Sequence, residues 1–422
     1  MRASYCLGAV TALSALSAAL AHTPAWCTIS RDVRIGSTAD FQRHIDRCRG
    51  ETPRGDHATL LLTRDATATV GSVTLPSNFT LRVDGSLTAS TERSEFPLIP
   101  PLPSYGTARD NARNVSLVHR ALLYSNGTKN VRLTGTGSID GQGGVGGWWA
   151  QEKNHTLLFQ RPRLVQFVHA SNVTIDGGLI LLNSPFWTVH LVYSEDVLVS
   201  EVHIRAPRDS PNTDGVDVDS TQRVNILRCV IDVGDDAVAI KSGLNQWGRA
   251  VNLSSANVLI EHNRIWGKAI AVGSEMSGGV FNVTVRHNVM GDSAGAVTGL
   301  LIKSARGRGG SVRNITFADN HLLNVSRVYS WIPALVVTDH YGGGKAGNAT
   351  TTPVLEDIRF INITVDFAEQ AGCLAGLPER HLVGIAMENV TFRRYRTGWA
   401  CQDCDGCEAV CNKAASNTSC AF

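Results

Sequence analysis

A short alternating segment repeats in the middle of the chain, and it limits the fold more than any other feature. Residues 212–220 align without a gap with residues 234–242 and 266–274, and a fourth copy covers residues 298–304. Each copy alternates apolar residues and ends at Ser, which predicts a strand with one buried face. The residues predicted to face inward are Val216, Val218, Val238, Ile240, Ile270, Val272, Leu300 and Ile302.

A second marker, a polar residue next to β-branched residues, recurs along most of the chain. It occurs at Asn130, Asn172, Asn225, Asn257, Asn282, Asn314, Asp357 and Asn389. The spacing falls in the roughly 20–50-residue range of stacked repeats, which must share one core because no repeat can bury its apolar face alone. The sequence therefore predicts an all-β right-handed parallel β-helix. A β-sandwich, or several small β domains, is the alternative, but hairpin signals between the alternating runs are scarce.

Three carboxylates fall into equivalent or adjacent positions of these repeats. Stacking places equivalent residues about 4.8 Å apart, so Asp214 and Asp236 are predicted to be neighbours, with Asp235 beside them and Lys268 on the next coil. Close carboxylates resist joint ionisation, so one can keep a proton while the others stay ionised. Inverting glycosidases use this division, with roughly 6.5–9.5 Å between acid and base. The sequence therefore predicts acid and base chemistry on a glycosidic bond.

Two outward columns of side chains accompany the carboxylates. One contains Asp217, Ala239, Ala271 and Leu301, and the other contains Asp219, Lys241, Gly273 and Lys303. Together they predict an exposed face with carboxylates flanked by lysines. For Asp217 and Asp219 the favoured interpretation is a solvated or turn-capping acid.

Longer strings in a fixed order carry a family resemblance. They lie at residues 101–106, 139–143, 183–190, 239–243, 273–279 and 307–310, together with the Asn-Thr-Asp of residues 212–214 and the Gly-Asp-Asp of residues 234–236. With these strings the chain resembles the polygalacturonase family of glycoside hydrolases, in particular its plant-type branch, from about Phe41 to Phe367.

The resemblance implies a role for each member of the carboxylate trio. Asp235 would be the general acid that protonates the leaving glycosidic oxygen. Asp214 and Asp236 would hold and activate the attacking water, and the product would have inverted configuration. The residues implied in substrate binding are Lys303, Lys268, Lys241, Asn212 and Tyr341. Tyr341 aligns loosely, and an ordinary loop tyrosine is its alternative.

Two positions depart from the family pattern. Lys268 stands where the family commonly has His, and Leu301 stands where it has Arg. The second change removes a bidentate donor for a carboxylate. Lys268, Lys241, Arg306 or Arg308 could supply charge there, with solvated turn cations as the alternative.

Other functions stay open at this stage. They are a non-catalytic pectin-binding relative, a β-helix hydrolase of another acidic polysaccharide, a β-eliminating lyase and a structural β-helix or adhesin. Endo and exo action are not distinguished by the sequence.

Composition sets wider limits. The net charge of +2 over 422 residues is too small to indicate nucleic-acid binding. No metal or nucleotide motif is apparent, so we expect no cofactor and no metal. The expected partner is an acidic polysaccharide, pectin or polygalacturonate, bound by a monomer with no membrane span.

The N-terminus predicts secretion. Residues 1–21 combine a basic start, an apolar stretch and a small-residue cleavage site, as a signal peptide does. Residues 22–400 are expected to form one β-helix domain with an N-terminal cap, followed by a Cys-rich tail at residues 401–422. Sequons such as Asn282 and Asn314 fit a secreted glycoprotein, with only part of the set expected to be used.

The cysteines agree with an oxidising compartment. Loss of Cys6 with the signal leaves an odd number, so at least one thiol is expected to be free or externally paired, and Cys229, within an apolar run, is the candidate for a buried free thiol. Cys27 and Cys48 are predicted to form a disulfide in the N-terminal cap. The residues Cys401, Cys404, Cys407 and Cys411 have the spacing of an iron–sulfur run, but disulfides are the favoured interpretation.

Overall fold

The chain winds into coils, and a complete coil adds one strand to each of three parallel sheets. The computed structural model describes residues 27–106, 116–291, 299–326, 333–343 and 348–411. The fold is a right-handed parallel β-helix, as predicted. The β-sandwich alternative is wrong, because the strands of all three long sheets pair in parallel.

The strands fall into three long sheets and one short pair. Sheet 1 contains Thr28–Ile29, Ala58–Leu62, Phe79–Val83, Lys129–Thr134, Ser171–Ile175, Glu195–Ser200, Gln222–Leu227, Ser255–Glu261, Val280–Arg286, Ser311–Ala318, Val354–Ile361 and Val383–Glu388. Sheet 2 contains Thr67–Val70, Ser86–Ala89, Ser138–Asp140, Ile180–Leu182, His203–Arg205, Val230–Asp232, Arg264–Trp266, Val289–Met290, His321–Leu322, Thr364–Val365 and Thr391–Phe392. Sheet 3 contains Val73–Thr74, Leu123–Asn126, Val165–Val168, Val189–Val192, Val216–Asp219, Val238–Lys241, Ala269–Gly273, Gly299–Lys303, Leu335–Thr338, Ala368–Ala375 and Tyr395–Gln402. Leu98–Ile99 and Val118–His119 form an antiparallel pair.

Helices are few and short. The α-helices are Thr38–Glu51, Trp148–Lys153, Asn245–Val251 and Glu408–Cys411, and the 3₁₀ turns are Arg93–Glu95, Tyr341–Gly343 and Ala349–Thr351. The first α-helix begins after Ser37, whose hydroxyl accepts a hydrogen bond from the backbone N–H of Asp40. It buries Phe41 and Ile45 against the first coils and so forms the N-terminal cap. Among the described residues, no helix is both long enough and apolar enough to cross a bilayer.

The core runs along the helix axis between the three sheets. Val216 pairs with Val238, Val238 with Ile270, and Ile270 with Leu300, so the repeat alignment predicted the register of sheet 3 correctly. The eight residues predicted to face inward are all buried in one continuous apolar cluster. Stacked valine, isoleucine and leucine side chains from successive coils supply the main driving force for folding.

Several Asn residues of the recurring marker lie within the first half of a sheet 1 strand. Asn257 and Asn282 have positive φ values of 58° and 55°, a conformation that Asn tolerates better than most residues. Their side chains also form a ladder, in which Asn314 donates to Asn282 over 2.8 Å and Asn282 donates to Asn257 over 3.2 Å. Asn257, Asn282 and Asn314 each lie within a sheet 1 strand, two or three residues after its start, whereas Asn389 follows the strand Val383–Glu388.

Disulfides join Cys27 to Cys48, Cys401 to Cys411 and Cys404 to Cys407. The pair in the cap was predicted from the sequence, whereas for the tail disulfides were predicted without their pairing. Cys373 is also disulfide-bonded. Cys229 is the free thiol of the described residues, although it lies in the turn between two strands rather than within one. The predicted signal peptide, Cys420 and the sequons at Asn114 and Asn417 lie outside the described residues.

Candidate active site

Two consecutive turns that enter sheet 3 carry the three carboxylates. Asp214 precedes the strand Val216–Asp219, and Asp235 and Asp236 precede Val238–Lys241. One carboxylate oxygen from each residue lies within 4.8 Å of the others. The predicted adjacency of the trio is therefore confirmed.

The oxygens of the trio approach one another closely. One oxygen from each residue lies within 4.8 Å of the others, which is a distance between single oxygens, whereas the roughly 6.5–9.5 Å of inverting enzymes separates whole carboxyl groups. The reason is the coil spacing, because Asp214 and Asp236 occupy equivalent places on adjacent coils and Asp235 is next to Asp236.

Small and hydroxyl residues hold the two turns together. The hydroxyl of Thr213, which is fully buried, accepts a hydrogen bond of 3.0 Å from the backbone N–H of Gly234 on the next coil. A Cβ added to Gly234 would lie 2.3 Å from the carbonyl oxygen of Ser210, so no larger residue fits. The residues that precede the carboxylates in both motifs thus fix the approach of the two turns.

Ion pairs with two lysines compensate part of the negative charge. Lys268 Nζ lies 2.8 Å from Asp235 Oδ2, and Lys303 Nζ lies 2.6 Å from Asp236 Oδ2. Burial lowers the pKa of Lys268, but Asp235 outweighs this effect and the pKa is raised. Lys303 also lies over the ring of Tyr341, 5.3 Å from its centroid. The structure thus brings Lys268, Lys303 and Tyr341 to the trio, and their roles in substrate binding stay predictions.

Lys241 lies among buried carboxylates. Its Nζ is 3.2 Å from Glu275, 3.6 Å from Asp217 and 3.9 Å from Asp214. The same ammonium group lies 4.4 Å from the centroid of a Trp187 ring. Because these contacts surround the group, its geometry suits positioning of Asp214 better than direct contact with a substrate.

Asp214 lies in a buried environment beside other carboxylates. Burial, followed by the negative charge of Asp235, raises the pKa of Asp214 well above its usual range, and Lys241 opposes the rise. The raised pKa favours the protonated form of Asp214 relative to an ordinary aspartate.

Removal of the Lys241 charge should move the pH dependence of activity. In Lys241→Met the pKa of Asp214 should rise further, so the ionised form of the base predicted at Asp214 should be lost at a higher pH. We expect the acidic limb of the kcat profile to shift to higher pH, as measured by reducing-end release across a pH series. Lys153→Met is the control, because Lys153 forms an exposed ion pair with Asp209 at 3.0 Å. An unshifted limb in Lys241→Met would contradict the role given to Asp214.

The outward columns of sheet 3 are not exposed, which corrects the expectation from sequence. Asp217 and Asp219 are fully buried and are not solvated turn acids. Asp219 accepts hydrogen bonds from the Tyr105 hydroxyl at 2.7 Å and faces His190 Nε2 at 3.2 Å. Burial lowers the pKa of His190 to about 4, so it is neutral at neutral pH. The repeat alignment could not show that Tyr105 covers Asp219, because Tyr105 comes from a loop that is distant in the sequence.

Leu301 also departs from its predicted surroundings. It is buried in a separate apolar cluster on the outer side of sheet 3, with Ala269, Ala271, Val336, Cys373 and Ala375. The position is therefore filled by apolar packing rather than open to a substrate carboxylate. Arg306 pairs with Glu379 at 2.7 Å, and Arg308 donates to the Ser274 carbonyl at 3.0 Å, so both reach protein groups.

Arg161 holds the Asn-Thr-Asp turn and was missed by the sequence analysis. This fully buried arginine donates to the carbonyls of Pro185 at 2.8 Å and Pro211 at 2.7 Å. It also donates to Asn212 Oδ1 at 2.8 Å. Asn212 has a positive φ of 52°, and this contact occupies its side-chain oxygen. Only the position of Arg161 just before a strand was visible in the sequence, and that does not indicate its partners.

The spacing of Asp214, Asp235 and Asp236 would let one oxygen from each reach a single cation. Lys268 and Lys303 already neutralise two of these groups. The absence of a metal or cofactor stays a prediction.

Comparisons with known proteins agree with one another. The family model of the glycosyl hydrolases family 28 matches residues 59–420. A probable polygalacturonase of Vitis vinifera is 35% identical over 348 residues, which cover 80% of this chain and 68% of the relative. An endo-polygalacturonase of Pectobacterium carotovorum subsp. carotovorum is 29% identical over 87% of both chains.

Solved structures with a similar fold include a polygalacturonase from Erwinia carotovora ssp. carotovora. It has a TM-score of 0.72 and 26% identity, over 91% of this chain and 97% of its own. A hyperthermoactive exopolygalacturonase from Thermotoga maritima has a TM-score of 0.73 and 24% identity over 88% of both chains, which shows the fold alone.

Proposed function

The chain belongs to family 28 of the glycosyl hydrolases, and we propose that it hydrolyses the α-1,4-galacturonosyl bonds of pectin or polygalacturonate with inversion. The observation that carries this proposal is the trio of Asp214, Asp235 and Asp236, whose oxygens meet within 4.8 Å. Relatives named polygalacturonase support the choice of substrate.

In the proposed reaction Asp235 is the acid. It gives its proton to the glycosidic oxygen as the C1–O bond breaks, and that oxygen takes the bonding electron pair. Water bonds to C1 from the opposite face, and Asp214 or Asp236 accepts its proton. For each glycosidic bond cleaved, one water is consumed and one new reducing end is formed.

The proton must reach Asp235 before cleavage. In the substrate-free protein Asp235 is paired with Lys268, and the raised pKa of Asp214 favours the proton there. A galacturonate carboxylate that binds Lys268 would compete for its ammonium group and weaken the pair with Asp235. The short separation within the trio would then let the proton pass from Asp214 to Asp235. Lys303 and Tyr341 would hold the same or the next sugar.

The wider setting agrees with this function. The alternative of a non-catalytic pectin-binding relative has no specific support, because all three carboxylates are present and lie close together. Disulfides fit an oxidising compartment, and we propose a secreted protein that acts as a monomer and carries glycans on part of its exposed sequons, such as Asn282 and Asn314.

Proton NMR of a digest of polygalacturonate tests this proposal and its stereochemistry together. We expect the new reducing ends to appear first as the β-anomer, because water attacks the α-linked C1 from the opposite face, and to mutarotate afterwards. Ends that appear first as the α-anomer would show retention, to which carboxyl groups about 5–5.5 Å apart are suited. A spectrum without new reducing ends would contradict the hydrolase function itself.

A further inference from the structure

Three buried carboxylates share the Lys241 ammonium group unequally. Lys241 Nζ donates a hydrogen bond of 3.2 Å to Glu275 Oε2. Asp217 and Asp214 lie farther from the same nitrogen, at 3.6 Å and 3.9 Å. Because Coulomb attraction falls with distance, the Lys241 charge stabilises the carboxylate of Glu275 more than that of Asp214.

Glu275 is held in place by its backbone. The N–H of Ser242 donates to the Glu275 carbonyl at 2.6 Å. On the other side, Arg308 Nε donates to the carbonyl of the preceding residue, Ser274, at 3.0 Å. The Glu275 side chain is 11% exposed, so little water reaches its contact with Lys241. Glu275 therefore fixes the ammonium group from outside the strand that carries Lys241.

Lys241 is charged in this setting. Burial lowers the pKa of Lys241, but the charge of Glu275, followed by that of Asp217, outweighs this effect and raises the pKa well above its usual range. The same ammonium group opposes the rise in the pKa of Asp214 that burial and Asp235 produce. An ammonium group that moved closer to Asp214 would oppose this rise more strongly.

Other charged groups also face Asp214, from its own coil and from later coils. They are Asp217, Asp235, Asp236 and Lys303, and the hydroxyl of Tyr105 lies near Glu275. A substitution at Glu275 leaves all these side chains in the protein. A change in the titration of Asp214 would therefore report on the pair of Glu275 and Lys241.

We propose that Glu275 is a positioning residue of the hydrolase, which withholds the Lys241 ammonium group from Asp214 and so sets the pH below which Asp214 no longer acts as a base. This inference rests on the proposed function and on the role given there to Asp214. Glu275 acts through Lys241 and needs no contact with the substrate.

Glu275→Gln tests this role, because it removes the competing charge and keeps the shape of the side chain. The ammonium group should then interact more strongly with Asp214 and keep it ionised to a lower pH. We expect the acidic limb of the kcat profile on polygalacturonate to move down by about one pH unit, as a nearby opposite charge can produce. This direction is opposite to that expected for Lys241→Met, and KM at neutral pH should be nearly unchanged.

Glu261→Gln is the matched control. Glu261 lies in sheet 1, where its side chain is 16% exposed and pairs with Arg286 at 2.9 Å. It should leave the acidic limb at its native position.

The double variant of Lys241→Met and Glu275→Gln shows whether Glu275 acts through Lys241. Its acidic limb should coincide with that of Lys241→Met alone, because no ammonium group is left to be released. If Glu275→Gln moves the limb as far in this background as in the native protein, Glu275 acts on Asp214 directly and the proposal is wrong.

Glu275→Asp provides the test if Glu275→Gln does not fold. It withdraws the carboxylate from Lys241 by one methylene group, so the limb should move in the same direction by a smaller amount. An unmoved or raised limb in the folded Glu275 variants, with hydrolysis by the native protein, would overturn this inference alone. No new reducing ends from the native protein would overturn the proposed function and this inference together.

Discussion

Asp235→Asn should lower kcat on polygalacturonate by about 10²–10⁴-fold, the range that a general acid contributes. The amide keeps the shape of the carboxyl group but cannot give a proton to the leaving oxygen. The side chain of Asp235 is the most exposed of the three carboxylates. The substitution should therefore leave the fold and the affinity for substrate nearly unchanged. Reducing-end release measures the rate, and calorimetry with an oligogalacturonate measures the affinity.

An activated aryl galacturonide separates the acid from the base. Its leaving group departs without protonation, so Asp235→Asn should retain most of its activity on this substrate. Asp214→Asn is the matched variant, and it should lose activity on both substrates because the water is no longer activated. If the two variants exchange these patterns, Asp214, whose pKa is raised by burial and by the charge of Asp235, is the acid instead.

Arg161→Met should lower the free energy of unfolding strongly. The substitution leaves the carbonyls of Pro185 and Pro211 and the side-chain oxygen of Asn212 without the donor they have in the native protein. Arg161 Nε also lies 3.6 Å from Glu152 in this buried setting. We expect the free energy of unfolding to fall by about 3–5 kcal/mol, as when one partner of a buried ion pair is removed. Hydrolysis should be lost as well, because the turn that carries Asp214 is released.

Denaturant unfolding followed by circular dichroism measures this loss. Arg208→Met is the matched control, because Arg208 forms a partly exposed pair with Asp232 at 3.1 Å. Its removal should cost less than about 1 kcal/mol. Equal losses in both variants would mean that the contacts of Arg161 do not hold the turn.

The repeat alignment was sufficient to predict how the coils stack. It predicted that Val216, Val238 and Ile270 would be neighbours, and with them the meeting of Asp214 and Asp236, because equivalent residues of a solenoid face each other at a fixed spacing. Side-chain alternation likewise predicted which residues form the core.

The same alignment could not show contacts between unrelated parts of the chain. Tyr105 reaches Asp219 across 114 residues, and Arg161 reaches Asn212 across 51. Neither partner lies in an equivalent place of another coil, so periodicity contains no signal for it. For this reason Asp219 was expected to be solvated, and Arg161 was missed.

The resemblance implied roles for the trio, whereas the structure shows which groups surround the predicted site. Leu301 illustrates the difference, because its replacement of an arginine suggested an empty place in the substrate site. The structure shows that apolar side chains fill this place. An arginine introduced there would have to be buried among them, which is costly for an unpaired charge.

Mass spectrometry of the products formed from polygalacturonate in ¹⁸O-labelled water shows whether this trio directs water to C1 of a galacturonosyl residue. We expect saturated products with one heavy oxygen for each bond cleaved, at the reducing end that the cleavage forms and before exchange, and about 10²–10⁴-fold slower formation of these products by Asp235→Asn. Unsaturated products without the label, or no cleavage by the native protein, would contradict it.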